Sequence, residues 1–355
     1  MSRRAHLVGA WPGRNPEHAM ETALKHLAPF LDRMSDGETG DRSLWVTSGI
    51  DTFRANPDVE MIHDGGWTSY EDTGQWKLKD GATLDPDHIL IHYRNAFERS
   101  YPAFKVMRER FDRPDLKFQV GIPMPADLAV YTFGPAAFED LSIILACAAA
   151  TLREINEIVE LADSPDDVVF QIETVLALVA AARETDPAKQ AEVVQQFAGG
   201  MHALVGGAPE GTHWGIHLCL GDFHHTAYGN MKDSGALVQL SNALAAGWPK
   251  GRHLDYIHVP FAAASEPPVE DEAFYEPLKE LDIPADVRFV AGFQHEKLDH
   301  EAHKKFLDRI ESFAGREVDI SQACGLGRRD NPDEAFEAMS ETVALIEETE
   351  GATSR

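Results

Sequence analysis

Apolar, β-branched runs alternate with helix-period segments along almost the whole chain, and this alternation constrains the fold more than any other feature. Runs that read as strands fall at about 6–11 (HLVGAW), 33–37 (RMSDG), 117–123 (KFQVGIP), 168–173 (VVFQIE), 213–220 (HWGIHLCL), 254–260 (LDYIHVP), 287–293 (VRFVAGF) and 318–324 (VDISQAC). Helical patterns lie between them at 15–32, 135–162, 187–206, 233–247, 271–281, 299–314 and 332–350. The last two open on Asp299 and on Asn331-Pro332 as cap and first-turn residues. Strands separated by helices pair in parallel, because a parallel pair needs a crossover between its members. Eight such strands predict an α/β fold of the (β/α)8 TIM-barrel type, which carries its chemistry at the C-terminal ends of the strands.

One segment departs from the repeat. Residues 42–116 hold Trp45, Trp67, Trp76, the turn-like Lys79-Asp80-Gly81 and the helical stretch HYRNAFERSYPAFKVMRERF. They read as a long insertion after the second strand, folded over the barrel mouth as a lid, a substrate wall or a stabilising excursion. No internal repeat or low-complexity linker divides the 355 residues, so a single domain over 1–355 is expected.

Composition limits the setting. A hydrophobic fraction of 43% supports a large core, and the formal charge of −27 repels phosphate backbones and anionic lipid surfaces. Neither nucleic acid nor membrane is expected as a partner. Acidic runs such as PPVEDEAFYEP and IEETEG serve solubility, so an anionic ligand would need local Arg or Lys. Only three Cys occur, one of them (Cys147) in the apolar run LSIILACAAA, which is no disulfide framework. No signal-peptide pattern and no run near ~18 apolar residues is present, and a cytoplasmic protein is expected.

The other two thiols stand where strands should end: His217-Leu218-Cys219 in HWGIHLCLGD and Cys324 in VDISQACGLGRRD. Residues i and i+2 of a strand point to one side, so His217 and Cys219 can face one ion while a distant Cys closes the cage. Zinc takes Cys sulfur and His nitrogen, and in a catalytic site keeps one position open. Read from spacing alone, both cysteines are equally ordinary small core residues.

These residues resemble a family: the C-terminal catalytic barrel of cobalamin-independent methionine synthase and its zinc-dependent thiol alkyltransferase relatives. HLVGAWPG is similar to that family's Gly-Ser-Phe-Pro type first strand, with Ala10 in place of Ser. Asp36-Gly37-Glu38 resembles its His-Gly-Glu turn, GIHLCLG its zinc-binding His-x-Cys strand, and ACGLGRR its last-strand Asp-Cys-Gly-Leu-Lys-x-Arg motif. FQIETVL resembles its Gln-Ile-Asp-Glu-Pro pattern, with Glu173 where an Asp binds the substrate amine. The resemblance implies zinc on His217, Cys219 and Cys324, and an amino thiol held by Glu38 and Glu173. It also implies a proton supplied by His295 in FVAGFQHEKLD.

The departures are specific. The family's fourth ligand is a Glu near the end of the sixth strand, and LDYIHVPF has none there. His258 on that strand is the candidate replacement, with Asp222, His224 and His225 as rivals. The Glu-Pro after Glu173 is missing, which points to a thiol other than homocysteine, and a core-type relative without the folate-binding half of the two-barrel synthase is expected.

The chemistry so implied is alkyl transfer, methyl by preference, from a small donor to a small-molecule thiol activated as a zinc-bound thiolate. Arg328 and Arg329 beside Cys324 are candidates to receive a carboxylate or sulfonate, or to pair with Asp330. No Gly-x-Ser-x-Gly elbow, P-loop or Gly-x-Gly-x-x-Gly fingerprint occurs in its required context. Two further readings stay open: a zinc- and thiol-binding protein without transferase activity, and a metal-independent barrel lyase or decarboxylase.

Overall fold

Strand formation follows the apolar runs. The computed structural model describes residues 2–44, 47–329 and 331–353, so Trp45 and Asp330 lie outside the described residues. The strands are β1 (Arg33–Met34), β2 (Val59–Asp64), β3 (Gly74–Leu78), β4 (Lys117–Pro123), β5 (Val168–Thr174), β6 (His213–Leu218), β7 (His253–Pro260), β8 (Arg288–Gln294) and β9 (Asp319–Gln322). All but β2 and β3 form one parallel sheet in the order β1-β4-β5-β6-β7-β8-β9, each strand beside the next in sequence. β4 and β5 are buried on both faces, which is why they read as unbroken apolar runs.

The sheet curls until one segment touches both of its edges. Ala5 bridges Leu31 beside β1 and Ile320 in β9, both in parallel. Its N–H donates to the Phe30 carbonyl at 2.9 Å, and the His6 N–H donates to the Ile320 carbonyl at 2.9 Å. The strand read at 6–11 is therefore reduced to this bridge. Side chains satisfy the backbone beyond it: Gln119 and Gln171 amides donate to the Val8 carbonyl, and Ser35 Oγ to that of Gly9.

Helices cover the outer side: α1 (Pro16–Leu27), α2 (Thr47–Asp51), α3 (Tyr93–Arg110), α4 (Pro125–Phe133), α5 (Leu141–Leu161), α6 (Leu176–Arg183), α7 (Pro187–Gly207), α8 (Gly235–Ala246), α9 (His300–Ala314) and α10 (Pro332–Thr353). Local chemistry sets several ends. Asn15 accepts from the His18 N–H before Pro16, and Asp299 accepts from the Ala302 N–H to start α9. Gly315, at φ +65°, ends α9 in the left-handed conformation that glycine reaches without a Cβ penalty. The segment read as a helix at 271–281 is a 3-10 helix, Glu272–Glu280, with Pro277 inside it unable to donate to an α ladder.

The 42–116 segment divides in two. Its last part, α3, packs on α1, α5 and β4 as one of the covering helices. The remainder is an excursion containing α2 and the antiparallel hairpin β2–β3, whose 65–73 tip reaches the loop after β6. No helix among the described residues is long and apolar enough to cross a membrane.

Candidate metal centre and its cavity

β6 carries His217 inside its end and Cys219 just past it, while β9 stops at Gln322, two residues before Cys324. Curling of the sheet brings the two ends together. The ligand atoms of His217, Cys219 and Cys324 lie within 4.8 Å of one another, and they are the metal-ligating group found among the described residues. The two sulfurs are 3.7 Å apart, far beyond the ~2.05 Å of a disulfide. Two sulfurs held at ~2.3 Å by one tetrahedral zinc stand about 3.8 Å apart, so the pair already has the spacing zinc requires. The residues present fit that ion.

Their electrostatics favour a cation. Cys324 accepts a hydrogen bond from the Cys219 thiol, which holds it well below the usual thiol range against the opposing effect of burial. The Arg328 guanidinium, 3.4 Å from its sulfur, acts in the same direction. The shared hydrogen bond and burial push Cys219 upward.

His258 takes a different place from the one its sequence position suggested. It is fully buried and stands outside the ligand group. Its Nδ1 lies 2.7 Å from His217 Nδ1, and its Nε2 lies 2.9 Å from the Gln322 carbonyl oxygen. Both of its nitrogens are thereby engaged, one with His217 and one with the Gln322 carbonyl, and His258 is not brought into the ligand group.

The three ligands form part of the wall of a cavity of about 70 Å³. Glu38 and Glu173 line it too, and glycines make room for them. A Cβ at Gly121 would meet Glu173 Oε1 at 2.5 Å and Glu38 Oε1 at 2.9 Å, and one at Gly9 would meet Glu38 Oε2 at 2.7 Å. Glu38 has φ +44°, a conformation that costs a non-glycine residue energy, while its N–H donates to Asp36. Burial raises the Glu38 carboxyl to about 7, with Arg42 opposing, and raises Glu173 further with the neighbouring Glu38 adding to it. Two carboxyls that resist ionisation in one cavity await a cation.

The hairpin tip supplies Trp67, Tyr70 and Thr73 to the cavity wall. Tyr70 Oη donates to the Thr226 carbonyl at 3.0 Å, and His224 Nε2 donates to that of Trp67 at 2.9 Å. His224 is thus a latch on the insertion and not a ligand. His225 turns to Glu296, 3.0 Å from its Nε2. Asp222 does line the cavity, its buried Oδ1 without a hydrogen bond and 3.9 Å from His225 Nδ1, and burial followed by the Cys324 charge raises it to about 6.

His295 is not brought into this cavity. It lines a separate cleft with His303 and Arg329, its Nε2 donating to the Ala264 carbonyl and its Nδ1 accepting from the Lys297 N–H. Both ring nitrogens are engaged with backbone groups in this structure. The two arginines separate: Arg328 enters the cavity, while Arg329 turns to Glu296. Cys147 is buried on α5, away from the site, and burial pushes its thiol up to about 12.

Tyr131 on α4 and Tyr70 escaped the sequence reading as wall residues. Pro125 directly after a strand was the available signal for α4, and the Gly-rich GGWTSYEDTG stretch was the signal for a hairpin tip.

No family model matches the chain, and no curated protein matches its sequence. Solved structures do. A Listeria monocytogenes protein, assigned by inference as a vitamin-B12 independent methionine synthase, is 12% identical over 98% of this chain and 99% of its own, with a TM-score of 0.58. A B12-independent methionine synthase from Shewanella sp. W3-18-1, in complex with selenomethionine, is 13% identical over 99% of this chain and 96% of its own, with a TM-score of 0.56. At such identities the likeness is one of fold: a mixed α/β architecture around a curled parallel sheet is what this chain has in common with those two proteins.

Proposed function

We propose that the chain is a single (β/α)8 barrel, closed through Ala5, that transfers an alkyl group from a small donor to a small amino thiol. The observation that carries this reading is the 3.7 Å pair Cys219–Cys324 with His217, set in the wall of one cavity with two buried carboxyls. Zinc held by these residues would supply the Lewis acidity that ionises a thiol at neutral pH, while its two cysteine ligands keep the net charge low.

The chain's own residues perform the rest. Glu38 and Glu173 receive the substrate ammonium, whose charge would restore the ionisation that burial now suppresses. Arg328 faces the substrate's anionic end. Trp67 and Tyr70 shield the sulfur from water. The donor approaches through the adjoining cleft, which shares Glu38, Leu44, Thr47 and Trp67 with the cavity and continues to His92 and Arg99. As the new sulfur–carbon bond forms, the donor's bond to that carbon breaks, and its leaving atom takes a proton from Asp222. A protein of similar fold is in complex with selenomethionine, the kind of methylated amino acid that such a transfer would leave.

Incubating zinc-loaded protein with a panel of amino thiols and alkyl donors should yield a thioether detectable by mass spectrometry, with about one proton released per thiol bound. Thiol binding without any thioether would leave a binding protein. Turnover undiminished in metal-free protein would favour the metal-independent lyase reading.

A further inference from the structure

The two imidazoles on neighbouring strands decide which nitrogen of His217 is free. His217 and His258 are register partners in the parallel pair β6–β7, so both side chains project to the same side of the sheet. Their Nδ1 atoms are 2.7 Å apart, so one nitrogen carries a hydrogen and the other accepts it. The far end of His258 settles which. Its Nε2 faces the Gln322 carbonyl oxygen at 2.9 Å, and a carbonyl only accepts, so that nitrogen holds the hydrogen. A second hydrogen on His258 would make a fully buried imidazolium, and its hydrogen-bond and ring partners among the described residues, His217, the Gln322 carbonyl and His6, include no carboxylate to compensate it. His258 Nδ1 therefore accepts and His217 Nδ1 donates, which leaves Nε2 as the His217 nitrogen turned toward the cysteines.

The path of the His258 ring is built into the sheet. β8 lies between β7 and β9, and its pairing with β9 is irregular between Gly292 and Gln294. A Cβ at Gly292 would stand 2.8 Å from His258 Nε2 and 2.8 Å from the Gln322 oxygen, so the bond crosses β8 where a side chain is missing. Gln322 is two residues before Cys324. One hydrogen-bonded chain thus ties the strand bearing the cysteine to the imidazole of the other ligand strand.

We propose that His258 is a positioning residue that fixes the His217 hydrogen on Nδ1 and so reserves Nε2 for the metal, leaving a centre of three protein ligands with the remaining position open. The metal part of this inference rests on the zinc reading above, whereas the tautomer does not. Nitrogen NMR of metal-free, histidine-labelled protein should show His217 with its hydrogen on Nδ1, and His258→Phe should abolish that preference. Chelator competition should show His258→Phe weakening zinc roughly 10–100-fold, the usual cost of losing a partner behind a ligand. His258→Gln, whose amide can donate to Gln322 and accept from His217, should recover at least about tenfold of that loss, which controls for misfolding. X-ray absorption should count one imidazole on zinc in parent and variants alike.

Two imidazoles in the parent, or a His217 without its hydrogen on Nδ1 in the metal-free protein, would overturn the proposal. So would undiminished zinc affinity in His258→Phe. The predicted tautomer with no zinc binding at all would sink the zinc reading and leave the positioning role standing.

Discussion

Cys219 and Cys324 are 105 residues apart in sequence and 3.7 Å apart at sulfur. Nothing local to either explains that approach. Each thiol lies just past a strand end, and the curl of the sheet from β6 to β9 joins them. Purified protein should therefore hold about one zinc per chain by elemental analysis. Cys219→Ser or Cys324→Ser should cut affinity by more than roughly 100-fold, beyond the cost of removing a mere supporting partner. Cys147→Ser, on the outer helix α5, should leave the zinc in place. Full retention in both site variants would remove the centre as drawn.

The carboxyl pair predicts how stability depends on pH. Burial raises Glu38 from 4.5 to about 7, so the native state favours its protonated form. That contribution is complete below pH 4.5 and is lost as pH rises through about 7. Glu38→Gln mimics the protonated form at every pH. Metal-free parent and variant should melt together near the lower end, and at pH 8 the variant should melt higher by about 2 °C or more. Equal melting temperatures across the range would show that the carboxyl titrates normally.

Asp222 and His295 make opposite predictions for proton delivery. Asp222, raised to about 6, is protonated below that pH and lines the cavity. The transfer rate should fall as pH rises and Asp222 ionises, and Asp222→Asn should lose ~10²–10⁴-fold together with that pH limb. His295→Ala should lower the melting temperature by removing a link between loops, yet keep transfer within about tenfold. The reverse pattern, read from single-turnover rates, would return the acid role to His295.

The hairpin tip rests on a glycine. Gly221 has φ +85°, and a Cβ there would lie 2.5 Å from Tyr70 Oη. Gly221→Ala is then strained in its own backbone and expels the tyrosine that seals the cavity, at a cost of about 1 kcal/mol or more from conformation alone. Limited proteolysis should cut within 65–73 faster than in the parent, and the KM for thiol should rise. Unchanged cleavage would mean that the tip is held by something other than Tyr70.

What could be read beforehand was whatever a short stretch of chain encodes. Strand runs such as KFQVGIP and VVFQIE, buried on both faces, announce themselves by continuous apolar character. Asp299 and Asn15 announce helix starts, since capping depends on a few neighbouring atoms. The His-x-Cys spacing on one strand was equally visible, because two residues along a strand share a side. Where the insertion ended was less visible, for α3 has a helical period whether it covers the sheet or leaves it.

Local pattern is enough for the alternation of strands and helices, their order, and which strand ends bear sulfur, nitrogen and carboxylate. Which way each of those groups faces depends on the assembled sheet. His258 and His295 both sit at strand ends with suitable chemistry, yet one backs His217 and the other binds two loops. The reason is physical. Strand period and capping are interactions over a few residues, whereas a side chain's partner is set by the register and curvature of strands far apart in sequence. Glycines such as Gly292 and Gly121 settle that contest by leaving space where a neighbour's ring or carboxyl must pass.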